Sequence, residues 1–528
     1  MGRYGRLLYP ILFAASVSLG VAARGAGQYD AADLALVTAV SMLVAALALV
    51  VMLGVVRLVD RTDRAAPLAA ALTMLVVAWF FFYVPVQGAV EAITWRGSRD
   101  RVLLPLGAVA TIGLLVWLLR QSRDRLVAVN AFLTRFGALL LVVVLFQLAY
   151  SQRSSLAAAK RSALVRQLAQ PVRVAGPPPA GRNMPRRDIY LIILDGHPNA
   201  RMAREELGFD NTAFEDSLRA LGFVVPPGLH ANYSQSILSI PSLLNASHVT
   251  QLAQDAGVGS RSHALPRFLV EHNRTARFLK NQGYKYVLFP SPWWQPTQHS
   301  PLADVEFDAR PGFRLEDEAR RTQLRAAVLN STLLKYQNRG RIDTLYDVRS
   351  MQGLRRMPAD TAPTFVLAHF LLPHMPFFLD ASCRALKRPI VVERSNPEQR
   401  AAYAAQMQCI DRLLLDVVRT LLRDSRPEPV ILVVGDHGSR FSDPKYFEHP
   451  ERVSSAFIRE RFGALGAFYL PAGGDSAFTG PVSLVNVMGN VLRYYFNADL
   501  PRSGDEMYIS GEDPYRYYRV DSTGYANR

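Results

Sequence analysis

Five long apolar runs fill the first 150 residues of this 528-residue chain, at about 7–24, 34–57, 67–87, 102–119 and 132–150. Most come close to the roughly 20 residues that an α-helix needs to cross a bilayer, where each segment must satisfy its own backbone polar groups. The pattern predicts five membrane-spanning helices. The first run is too long for a signal peptide and four more follow it, so it reads as an anchor. Arginines in the short loops set the orientation. With the amino terminus in the cytoplasm, inner segments carry Arg3, Arg6, Arg57, Arg61, Arg64, Arg120, Arg123 and Arg125, against Arg24, Arg96, Arg99 and Arg101 outside. The bias favours this arrangement, which leaves everything after Tyr150 outside the cytoplasm.

Residues 154–170, SSLAAAKRSALVRQLAQ, have the composition of a helix leaving the membrane surface, and PVRVAGPPPAGRNMPRR, residues 171–187, reads as a semi-stiff tether. The expected organisation is a transmembrane domain over 1–150, a juxtamembrane helix and linker over 151–186, and an outer domain over 187–528. The net charge is +16, and Lys160, Arg161, Arg166, Arg173, Arg182, Arg186 and Arg187 fall near the expected membrane surface. Contact with anionic lipid head groups and simple solvation of surfaces are both open readings of these charges. Nucleic acid is excluded as a partner, since the basic residues are scattered and no nucleic-acid motif is present.

The outer domain alternates strand-like runs at 188–194, 284–289, 364–370, 429–435 and 464–470 with helical stretches at 262–281, 317–336 and 396–424. That alternation predicts an α/β domain with a mostly parallel sheet sandwiched by helices. The 396–424 stretch opens Asn396-Pro397-Glu398, a capping residue before a first-turn proline, and places Ile410, Leu413, Leu414, Val417 and Leu421 at core-facing spacing.

Two of the strands carry chemistry. VILVVGDHGSR, residues 430–440, is a run without period-2 alternation, as in a strand covered on both faces, and it ends in Asp436 and His437. Residues 187–196, RDIYLIILDG, form a second such strand ending in Asp195. Open α/β sheets bind ligands at the carboxyl ends of their strands, so Asp195, Asp436 and His437 are expected around one metal ion. Gly438 is expected to free the backbone for a tight turn. Between these strands lies NYSQSILSIPSLLN, residues 232–245, with Ser236, Ser239 and Ser242 along one helix face.

With these motifs together, the chain resembles the sulfatase-like branch of the alkaline phosphatase superfamily, and in particular its membrane-anchored lipoteichoic-acid synthases and phosphoethanolamine transferases. The resemblance covers about residues 187–500 and the anchored layout. It implies Ser236 as a nucleophile that is also a metal ligand, with Asp195, Asp436 and His437 as further ligands. Ser236-Ile237-Leu238-Ser239-Ile240-Pro241 fits the pattern that follows the nucleophile in the phosphoethanolamine transferases. AHFLLPHMPF, residues 368–377, implies His374 as a catalytic contact to phosphate or a second metal. His449, in FEHP, is the nearest match to the family's last histidine and is expected as a ligand. Sulfatases with a modified cysteine carry Cys-x-Pro-Ser-Arg; here Ser239-Ile240-Pro241-Ser242-Leu243 has serine first and leucine last, which leaves Ser239 the weaker claim.

The mixed oxygen and nitrogen ligand set suits zinc or manganese. A divalent ion there would ionise the serine hydroxyl and offset charge on a phosphoryl group in flight. The expected activity is transfer of phosphoglycerol or phosphoethanolamine from a membrane lipid donor to an envelope glycan or lipid acceptor, by an integral protein of the bacterial inner membrane with a periplasmic catalytic domain. A periplasmic sulfatase or phosphodiesterase, and a catalytically silent envelope-assembly protein, are the alternatives. Lys280, Lys285 and Arg310 are possible anion contacts, and Trp293 and Trp294 a possible pocket rim. Cys383 and Cys409 are either one disulfide or two buried thiols.

Overall fold

The computed structural model describes residues 7–24, 31–93, 99–176, 185–291, 297–307, 309, 323–335, 345–357, 362–390, 396–480 and 482–520. The chain forms two compact units, one of Met1–Leu156 with Arg314–Arg341 and the other of Ala157–Phe313 with Ile342–Arg528.

The first unit is helical, with α1 (Tyr9–Arg24), α2 (Ala31–Val59), α3 (Ala65–Ile93), α4 (Arg99–Leu119) and α5 (Arg123–Arg161), the last running on past the unit's boundary. Their positions match the five predicted runs. Of these, α2, α5 and the Ala65–Val84 part of α3 are long and apolar enough to cross a bilayer; the apolar parts of α1 and α4 are shorter. Val50, Leu106, Val109, Phe132 and Phe146 are exposed, an arrangement that water penalises and acyl chains do not. Several hydroxyls are satisfied within the helices, as where Ser41 Oγ donates to Val37 O at 2.9 Å and Thr73 Oγ1 to Ala69 O at 2.8 Å.

One helical stretch departs from expectation. The 317–336 segment was expected to cover the sheet, but its described helix, Gln323–Asn330, belongs to the helical unit. Leu324 and Val328 pack among Leu19, Val37, Val144 and Leu148, and Arg325 Nη2 lies 2.6 Å from the buried Asp33 Oδ1. The apolar face and its paired charge outweigh position in the chain.

In the second unit α6 (Ala163–Ala169) begins where Ser162 interrupts the preceding helix. Ser162 Oγ accepts from Val165 N at 3.0 Å and donates to Asp255 at 2.5 Å. Beyond the tether the strands are β1 (Ile189–Leu194), β2 (Lys285–Phe289), β3 (Val305–Glu306), β4 (Thr364–Phe370), β5 (Phe377–Leu379), β6 (Ala385–Ile390), β7 (Val430–Gly435), β8 (Gly466–Tyr469), β9 (Met507–Ile509) and β10 (Tyr518–Val520). The main sheet has the order β3-β2-β4-β1-β7-β8; only β8 runs antiparallel. All six β1 residues are buried, Ile189, Leu191 and Ile193 in one core layer and Tyr190, Ile192 and Leu194 in the other. This two-sided burial explains the missing alternation in its sequence.

The helix Pro397–Asp424 is capped by Asn396, whose Oδ1 accepts from Gln399 N at 2.8 Å. Ile410, Leu414, Val417 and Leu421 enter the core layer that holds Ile431 and Val433 of β7. Cys409 on this helix is bonded to Cys383 beside the β5–β6 hairpin, with Cα atoms 5.1 Å apart. A closed loop with a sequence separation of 26 should contribute about 3 kcal/mol. Thermal unfolding of the full chain in detergent should therefore show a lower midpoint for Cys383→Ser/Cys409→Ser; an unchanged midpoint would place the hairpin's stability in its packing alone.

Candidate metal centre

The centre is built from register. Leu194 pairs with Gly435 across adjacent parallel strands, so the next residues, Asp195 and Asp436, leave the sheet side by side. Space, not dihedral freedom, makes Gly435 and Gly438 glycines. A Cβ on Gly435 would lie 2.2 Å from His197 O, and one on Gly438 would lie 2.0 Å from Glu460 O. The turn expected at Gly438 is thus a close approach of two backbones. Gly196 does need its freedom, with φ at +71°, and its N–H donates to Asp436 Oδ1 at 3.0 Å.

The serine segment is fastened separately. Gln235 Nε2 donates to Ser510 O and Gly511 O at 2.9 and 2.8 Å, and the helix Ser236–Asn245 starts at the next residue. Buried Arg461 ties this segment to the Asp-His-Gly turn, with Nε donating to Ser234 O and Nη1 to Gly438 O, each at 2.7 Å. Glu460 holds the chain beyond the turn by accepting from Ser439 Oγ, Phe441 N and Ser442 N.

His437 Nδ1 donates to Gly438 O at 3.0 Å, so Nε2 carries the lone pair. That nitrogen lies 3.0 Å from Ser236 Oγ, 3.4 Å from Asp436 Oδ2 and 3.7 Å from Asp195 Oδ1. Both of those carboxylate oxygens are buried and accept no hydrogen bond. One ligand atom from each of Asp195, Asp436 and His437 lies within 4.8 Å of the others. Burial pushes the Asp436 carboxyl up to about 7, with the Asp195 charge adding to it. Burial also drives His437 well below its ordinary value, and the Arg461 charge pushes the same way. For Asp195, burial raises the carboxyl, but His374, His369 and His437 together outweigh it and hold it well below the usual range. Two buried carboxylates, each with one oxygen that accepts no hydrogen bond, and a neutral imidazole nitrogen are a costly group without a cation and a good donor set for a divalent one. The residues fit a metal ion.

No protein-family model and no curated protein matches this chain. Solved structures do. The chain is similar to periplasmic transferase domains and to sulfatases. The zinc complex of the C-terminal periplasmic domain of EcEptC from Escherichia coli is 12% identical, over 68% of this chain and 99% of that one, with a TM-score of 0.45. The corresponding domain of phosphoethanolamine transferase EptC from Campylobacter jejuni is 12% identical over 59% and 90%, with a TM-score of 0.36. A 2-O GAG sulfatase is 14% identical over 60% and 72%, with a TM-score of 0.39.

Of the three spaced hydroxyls, only that of Ser236 faces the carboxylates. Ser239 Oγ is buried and donates to Asp436 O at 2.6 Å, and Ser242 Oγ donates to Ser239 O at 2.7 Å. His374 stands beside Asp195, its N–H donating to Asp195 O at 3.0 Å and its Nδ1 to Met375 O at 2.5 Å. His449 is not brought to the group. It precedes the short helix Pro450–Arg452, its side chain is 61% exposed, and Nδ1 lies 3.7 Å from Glu451.

His369 stands in the centre instead, paired in register with Ile193 and with Nε2 3.7 Å from Asp195 Oδ2. It lies in the same AHFLLPHMPF stretch, and a lone ionisable residue in a fully buried strand was the signal for it. Arg461 and Glu460 had none, since SAFIRERF reads as an ordinary charged helix. Lys280 is paired with Asp304 at 2.6 Å, and Lys285 begins β2, at the other end of the sheet. Arg310, Trp293 and Trp294 lie outside the described residues.

Ser239→Ala should lower stability by about 1 to 2 kcal/mol, because the Asp436 carbonyl loses a buried donor, whereas Ser236→Ala should change it by less than about 0.5 kcal/mol. Equal unfolding midpoints for the two variants would contradict this division of roles.

Proposed function

We propose that the chain is a metal-dependent transferase of the sulfatase-like branch, anchored in the bacterial inner membrane by five spans, with its catalytic unit in the periplasm. It moves phosphoglycerol or phosphoethanolamine from a phospholipid to an envelope glycan or lipid, through a covalent intermediate on Ser236. One observation carries the reading: a partly exposed serine hydroxyl at a helix start, 3.0 Å from His437 Nε2 and facing two buried carboxylates that each keep one oxygen without a hydrogen bond.

The residue roles follow from that placement. Asp195, Asp436, His437 and the Ser236 oxygen would hold zinc or manganese, which supplies the charge that ionises the serine and offsets negative charge on the transferred group. In the first step the bond between Ser236 Oγ and phosphorus forms, and the bond from phosphorus to the lipid alcohol breaks. His374, with Nδ1 engaged by Met375 O, keeps the Nε2 lone pair to take the proton that Ser236 gives up and to pass it to the departing alcohol. In the second step an acceptor hydroxyl attacks the phosphoserine and restores Ser236. Ser239 is spoken for by Asp436 O, which disfavours an alignment with the sulfatase serine position.

Incubation of the full-length protein with phosphatidylglycerol or phosphatidylethanolamine, followed by peptide mass spectrometry, should give a phosphoglycerol or phosphoethanolamine adduct on Ser236. His374→Ala should slow its formation by roughly 10²- to 10³-fold, the scale of one lost transition-state donor. An adduct on Ser239, or none from either lipid, contradicts the proposal.

A further inference from the structure

A second cavity, of about 210 Å³, lies at the opposite edge of the main sheet from the metal centre. Ile189 and Val430 open β1 and β7 on its wall, and Gln282 and Tyr284 precede β2, so every strand that touches it does so at its amino end. Both ends of the described tether also line it. On one side Val174 bridges to Ala498, Ala175 N donates to Asn497 O at 3.0 Å, and Asp499 N donates to Arg173 O at 2.8 Å. On the other, Pro185, Arg186 and Arg187 lead into β1.

The lining is cationic and aromatic. Arg187 Nη1 donates to Glu428 O at 2.8 Å, while its Nε is buried and has no acceptor. Arg186 lies against Gly283, where a Cβ would come within 3.0 Å of its Nη1. Among the described residues neither arginine is within ion-pair distance of a carboxylate; Asp188, next in sequence, accepts from Thr364 N at 2.7 Å. The rest of the wall is Tyr284, Tyr495, Phe496 and Val174, with the two tyrosine hydroxyls spent on Arg187 O and Pro471 O. Two guanidiniums with no ion pair among the described residues, one with a buried N–H lacking an acceptor, beside flat apolar walls, select an anion carried on an apolar or polyol body.

We infer that this cavity is a binding site for a phosphate ester, separate from the catalytic centre and closed by the two ends of the tether. The ester's anionic oxygens would meet the Arg186 and Arg187 guanidiniums, and its substituent would lie against Tyr284 and Phe496. The ligand is either a phospholipid head group or a soluble phosphate. A bound ester would join the segments 173–175 and 185–187 across the sheet edge.

Calorimetric titration of the full-length protein in neutral detergent tests this, with inorganic phosphate, glycerol 3-phosphate and dihexanoyl phosphatidylglycerol as probes. Measurements in the Asp436→Asn background remove any contribution from the catalytic centre and make the outcome independent of the proposed transfer reaction. At least one probe should bind saturably, and Arg186→Gln/Arg187→Gln should weaken it ten-fold or more. Arg186→Gln alone, at an exposed side chain that makes no hydrogen bond or ion pair among the described residues, should weaken it at least three-fold at an unchanged unfolding midpoint. Tighter binding of the lipid probe than of the two soluble ones supports the site and identifies a head group; the reverse order supports it and identifies a soluble phosphate. No saturable binding, or binding that the arginine variants leave unchanged, overturns the inference.

Discussion

Two carboxylate oxygens, Asp195 Oδ1 and Asp436 Oδ2, are buried without a hydrogen-bond donor and face the lone pair of His437 Nε2. A protein interior tolerates such a group only at a cost of several kcal/mol unless a cation completes it. Much of the second unit serves to hold that arrangement. The β1–β7 register aligns the two acids, the glycines at 435 and 438 admit a neighbouring backbone, and Arg461 binds the serine segment to the histidine turn. Because the cost is localised at the carboxyl edge of a well-packed sheet, the two core layers offset it without distortion at the site.

The surrounding charges shape what the centre does. Burial, with the Arg461 charge pushing the same way, keeps His437 neutral; the Arg461 N–H groups are committed to two carbonyls, so it organises the site and leaves the metal position to the acids. His369 and His374 flank Asp195 and hold it ionised against burial. The result is one strong anion, one carboxyl that burial and its neighbour push up to about 7, and one neutral nitrogen. A divalent ion entering this set would remove the conflict between the two carboxyls.

How far the sequence revealed this varied with the kind of information needed. The strands ending in Asp195 and Asp436 were legible because burial on both faces writes a continuous apolar run, and an acid closes each, Asp195 before Gly196 and Asp436 before His437. The Pro397–Asp424 helix was legible from its cap and spacing. Features that depend on distance in space were not. The Cys383–Cys409 bond, the role of Gly438 as a point of backbone approach, and the packing of Gln323–Asn330 in the helical unit all depend on which segments meet. The histidines show the same limit. His449 fits a motif spacing but faces solvent, whereas His369, unmarked by spacing, is placed by its register with Ile193.

The central claim is that Asp195, Asp436 and His437 hold one metal ion with Ser236 beside it. An anomalous difference map from crystals of the metal-loaded protein tests it most directly. The account predicts a peak at about 2.0 to 2.2 Å from Asp195 Oδ1, Asp436 Oδ2 and His437 Nε2, with Ser236 Oγ as the next nearest protein atom. A peak bound elsewhere, or no peak in a protein saturated with zinc or manganese, would contradict it.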